Sequence, residues 1–161
     1  MVERDRDFVD GERGGDEDLS DLLSELRILL PGAQTLTAFL IILPFNSGFG
    51  QISQNERYVY VATFLCALAS LILFAAPAAW HRLLRPLRDR EGFKTRATHS
   101  VIAGLATLSV ALILATHLVL DAVLQQPALS WGGAIVVAGF IGAIWWLLPR
   151  WMGDAHSGAT S

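Results

Sequence analysis

THSVIAGLATLSVALILATHLVLDAVL, residues 98 to 124, is an apolar run interrupted near its end by one carboxylate, Asp121. A helix rises about 1.5 Å per residue, so roughly 20 residues cross the ~30 Å hydrocarbon core of a bilayer. Only a helix or a closed barrel satisfies its own backbone amides there. Three further apolar runs of spanning length lie near residues 28 to 49, 57 to 80 and 131 to 149. The chain reads as an all-α membrane protein with four transmembrane helices.

Composition agrees. Hydrophobic residues make up 53% and charged residues 17% of 161 positions, with mean hydropathy +0.45, too apolar for an ordinary soluble domain. The net charge of -3 hides two materials: the first 26 residues hold ten acids against Arg4, Arg6 and Arg13, so the remainder is basic. Residues 1 to 18 read as a disordered acidic tail, 19 to 152 as the transmembrane domain and 153 to 161 as a flexible C-terminal tail. No signal-peptide pattern is visible, and the first span is expected to direct insertion.

Lys and Arg resist translocation, and Arg82, Arg85, Arg88, Arg90, Lys94 and Arg96 crowd the connection between spans two and three. That loop is expected in the cytoplasm. The other two connections hold Arg57 alone or no basic residue, which puts both termini in the cytoplasm as well. Tyr58, Tyr60 and Trp131 then fall at the outer helix ends, and Trp80, Trp145, Trp146 and Trp151 at or near the inner ones, as headgroup anchors do.

Local signals refine this frame. Leu19, Leu22, Leu23, Leu26 and Leu30 form the stripe of a short amphipathic interfacial helix, and Pro31-Gly32 predicts a bend between it and span one. Pro44 bends or ends span one, a turn follows over 46 to 50, and Ser53 with Glu56 forms a capping box that starts span two. Gln125-Gln126-Pro127 separates spans three and four, with Ser130 as a cap. Small residues at Ala62, Cys66 and Ser70, and at Ala134, Ala138 and Gly142, are read as close-packing faces within the chain or between copies of it.

Asp121 is the sharpest site candidate, because a carboxylate near hydrocarbon must face protein, water or an ion. His117 lies one turn earlier on the same face, where an imidazole could share a proton with it. An ion or proton path would add Gln34 and Thr37 as polar lining, although hydrogen bonds between helices suit those two as well. Glu25, Arg27, Arg82 and Arg85 form a set of inner-surface charges that anchor the protein and could pair with one another. His81 and His99 flank the basic loop. The single cysteine, Cys66, excludes an intramolecular disulfide or a cysteine metal site. P-loop, GxSxG, HExxH and CxxC patterns are absent, so no enzyme activity, no cofactor, no metal and no nucleic-acid partner are expected. Expected partners are membrane lipids, with anionic headgroups at the 82–96 loop, and further copies of the chain.

LSELRILLPGAQTLTAFLIILPF at Leu23 to Phe45, ERYVYVATFLCALASLILFAAPAAWHRLL at Glu56 to Leu84, and ATHLVLDAVL at Ala115 to Leu124 carry a family likeness. In these the chain resembles a family of small bacterial, mostly actinobacterial, integral membrane proteins of unknown function. Pro31 departs from the pattern of that family, in which the first helix reads through. The resemblance implies a multi-pass protein of the bacterial plasma membrane and supplies no catalytic residue. Some relatives carry a sodium:proton antiporter label. Two functions stay open: a structural, interaction or regulatory role as an oligomer, and cation/proton exchange through Asp121 and His117.

Overall fold

The structure, a computed structural model, describes residues 24–83 and 90–151. Helix α1 covers 24–42, α2 Gln54–Leu83, α3 Arg90–Leu124 and α4 Pro127–Ile141. Four segments, Ser24–Phe45, Gln54–Leu83, Gly92–Leu124 and Pro127–Trp151, are long and apolar enough to cross a membrane. The acidic tail, residues 19–23 of the expected interfacial helix, the centre of the basic loop and the C-terminal tail lie outside the described residues.

The chain forms two compact units, Met1–Asn46 with Ala67–Leu108 and Ser47–Cys66 with Ser109–Ser161. In the first, α1 buries Leu26, Ala33, Thr37 and Leu40, one stripe at helical spacing. The α-helix is continuous through Pro31 and Gly32, where the sequence predicts a bend. Proline removes one amide donor but leaves the rest of the ladder, and spanning helices tolerate it. Thr35 and Thr37 donate to the carbonyls of Pro31 and Ala33, each at 2.8 Å. Leu43–Phe45, with Pro44 in its first turn, is a 3-10 turn that ends this helix.

Within the same unit, Ser100 Oγ donates to Leu73 O at 2.8 Å, tying α3 to α2. Phe74 is fully buried against Gly104, where an added Cβ would stand 2.6 Å from Phe74 Cε1. Gly104 is therefore a close-approach position. The buried face of α2 runs through Thr63, Ala67, Ser70, Phe74 and Pro77, while Ala62 is exposed and Cys66 only half-buried. This corrects the stripe expected at Ala62, Cys66 and Ser70: residue size alone does not fix helix phase, and the bulky Phe74 is accommodated because Gly104 faces it.

In the second unit, Ser53 and Glu56 make the expected reciprocal cap. The Ser53 amide donates to the Glu56 carboxylate, and the Glu56 amide to Ser53 Oγ at 3.3 Å. Tyr60 is buried edge-on to Phe49, centroids 4.9 Å apart, instead of serving as a headgroup anchor; Tyr58 keeps the exposed position. Helix α3 closes with Gln125 in the left-handed region, φ 51°, its amide bonded to Asp121 O at 2.9 Å. Gln126, extended, then precedes Pro127 at the first turn of α4. Ser130 consequently sits one turn inside α4 and does not cap it.

Along α4, Ser130, Ala134 and Ile141 are buried, Ala138 and Gly142 half-buried and Gly139 exposed. Helix α4 continues through a π-helical segment, Gly142–Leu147, in which the Leu148 amide bonds to Ala143 O, five residues back. Among the described residues of 144–151, only Trp146 is half-buried.

Candidate functional site

The polar residues of the second unit converge where α2 begins, α3 ends and α4 begins. Capping places Glu56 in the first turn of α2 because its carboxylate must reach back to Ser53. The tight Gln125-Gln126 turn folds the first turn of α4 back on α3, so that Ser130 Oγ lies 3.0 Å from Asp121 Oδ1 and 3.0 Å from Gln126 O. The Asp121 and His117 side chains both lie near the Glu56 carboxylate. Glu56 and Asp121 are half-buried, and His117, one turn deeper, is 95% buried.

His117 is held by stacking. Its ring lies 4.1 Å from that of Trp131, with 26° between the planes. Its Nδ1 is buried without a hydrogen-bond partner. The shared proton expected between His117 and Asp121 is therefore not the arrangement found: Asp121 turns to Ser130 and Glu56, and the imidazole packs against indole. The spacing was right for contact along the helix, but partners on α2 and α4 compete for both side chains.

Ser130 has one hydroxyl proton and two acceptors within reach, Asp121 Oδ1 and Gln126 O. Among the described residues no three His, Cys, Asp or Glu side chains converge to hold a metal ion.

The remaining candidates lie elsewhere. Thr37 is buried with its hydroxyl returned to Ala33 O, Gln34 is exposed, and both belong to the first unit. Glu25, Arg27 and Arg82 are exposed and form no ion pair among the described residues, and Arg85 lies outside them. His81 lies 6.2 Å from Phe93 between ring centroids, and His99 Nδ1 donates to Thr95 O at 2.7 Å. Sequence reasoning recognised Glu56 only as a cap and Trp131 only as an anchor. The available signal was topological: an acid at the start of span two and one at the end of span three must share a membrane face.

The signature of an established family covers residues 12–149. The chain belongs to the DUF6328 family. That family is one of unknown function. No curated protein and no solved structure matches the chain. Four spanning-length helices make this DUF6328 member a multi-pass membrane protein.

Proposed function

We propose that this DUF6328 member is a structural and regulatory protein of the bacterial plasma membrane, acting as an oligomer with both termini in the cytoplasm. The observation that carries this reading is the direction of its polar bonds. Ser53 and Glu56 bond to each other, and Ser130 bonds to Asp121, all at helix ends. The hydroxyls of Thr37, Thr63, Ser70, Thr107 and Thr116 all return to carbonyls of their own helix three or four residues back. Hydroxyls so engaged hold helices in shape. Gly139, exposed with open space beside it, offers α4 a close-approach surface for a second copy.

One observation favours the second reading, cation/proton exchange. A buried imidazole with an unpaired Nδ1 beside two carboxyls is the kind of group that proton-coupled proteins use. In that reading Asp121 and Glu56 exchange a proton for a cation and His117 relays it.

Proton flux in proteoliposomes on addition of sodium or potassium separates the two. The structural reading expects no flux above empty liposomes and an intermolecular disulfide in membranes for Gly139→Cys in a Cys66→Ala background. Cation-driven flux, lost in both Asp121→Asn and Glu56→Gln, would replace it with exchange.

A further inference from the structure

At the opposite end of α2 from Glu56, the first unit contains a crevice between α2 and α3. Its floor is Leu73 and Ala76, its rim is Trp80 from α2 and Arg96, His99 and Ser100 from α3. The Ser100 hydroxyl is already committed to Leu73 O, which fixes the floor. Ala97, fully buried, lets the two helices approach beneath it.

Depth assigns the rim to the headgroup layer. Val101 to Leu124, 24 residues, measures about 36 Å as a helix, enough for the hydrocarbon core, so Arg96 and His99 emerge beyond it by about one turn. Trp80, half-buried, has the amphipathic ring suited to that layer. Arg96 is exposed and has no ion-pair partner among the described residues. His99 spends Nδ1–H on Thr95 O, which leaves Nε2 for another partner.

We propose that this crevice is a binding site for one anionic phospholipid. The phosphate sits on the Arg96 guanidinium, a headgroup hydroxyl donates to His99 Nε2, the Trp80 indole packs on the glycerol region, and an acyl chain lies along Ala76 and Leu73. Charge complementarity selects the headgroup and the apolar floor selects a lipid over a soluble phosphate. This rests on the membrane reading alone and is independent of the Asp121 cluster.

The test is native mass spectrometry of the full chain released from detergent with equimolar phosphatidylglycerol and phosphatidylcholine. The parent should retain phosphatidylglycerol preferentially. Arg96→Gln should reduce that preference several-fold, Arg96→Lys should restore much of it, and Ala76→Leu, which fills the floor, should weaken retention of both lipids. Arg57→Gln removes the same charge at the far end of α2 and should change little. Circular dichroism of each variant checks that the helices persist; a variant that fails this check is replaced by the milder His99→Gln, for which the same partial loss of preference is expected. Equal retention of the two lipids, equal effects of Arg57→Gln and Arg96→Gln, or displacement of the lipid by inorganic phosphate would overturn the proposal.

Discussion

The His117 imidazole stacks on the Trp131 indole, 4.1 Å between centroids, and this contact joins the last turns of α3 to the first turn of α4. Stacked rings contribute about 0.5–1.5 kcal/mol beyond the area they bury. The unpaired Nδ1 works the other way, since an unsatisfied buried polar atom costs about 1–3 kcal/mol. His117→Phe keeps the ring and removes the orphan nitrogen, so thermal unfolding in nanodiscs should occur at the parent temperature or above it. Trp131→Ala should lower it. A large loss of stability in His117→Phe would mean that Nδ1 has a partner, such as an ordered water.

The Ser130–Asp121 bond is expected to be worth about 1 kcal/mol, more when the acceptor is charged. In a double-mutant cycle, Ser130→Ala and Asp121→Ala should each destabilise, and together by less than the sum. Strict additivity in reversible unfolding would show that the bond contributes nothing.

Glycines along the helices should differ sharply in their tolerance of alanine. Gly104→Ala drives a methyl into the buried ring of Phe74 and should cost about 1–3 kcal/mol, partly recovered by Phe74→Leu. Gly133→Ala meets Leu120 Cδ1, the tip of a flexible side chain that can swing away, and should cost less. Gly139→Ala meets nothing within its own chain and should cost the fold least. The order of the three is the prediction.

The two halves of the α2 cap can be separated by mutation. Ser53→Ala loses the bond to the Glu56 amide and should destabilise by about 0.5–2 kcal/mol. Glu56→Gln keeps an acceptor for the Ser53 amide, so its effect on helix start should be smaller. If Glu56→Gln proves the more damaging in thermal unfolding, the contact of Glu56 with Asp121 outweighs its service to the cap.

The cytoplasmic placement proposed for both termini is open to direct labelling. In a Cys66→Ala background, Ser47→Cys should react with a membrane-impermeant maleimide on intact cells, and Ser157→Cys only after lysis. The reverse pattern would invert the protein.

The spans were legible because lipid imposes one length and one secondary structure on any apolar run. The Ser53/Glu56 cap was legible because its spacing is local. What escaped depends on which faces meet. Ala62 and Thr63 differ by 100° of helical phase, and only the neighbouring helix decides which is covered. Asp121 carries an obvious cost near hydrocarbon, but the choice of Ser130 and Glu56 over His117 as its partners comes from the sharp turn at Gln125 and from α2, neither of which a spacing within α3 can express. Pro31 was read as a breaker by the rules of water-soluble helices; a span can lose one amide bond and continue.

The π-helical stretch from Gly142 to Leu147 acts as a one-residue spacer in the last helix. From Ile141 a regular α-helix would bring Trp145 onto the covered side; with the wider turn it is Trp146, five positions on, that is the less exposed of the two. Rewinding this stretch to a regular α-helix at unchanged length would rotate everything beyond by about 100°, carrying Arg150 and Trp151 to a different azimuth, whereas deleting one residue, for example Ala143, would rewind it and leave them where they are. The spacer thus sets where the terminal aromatic and basic groups point without changing any of them.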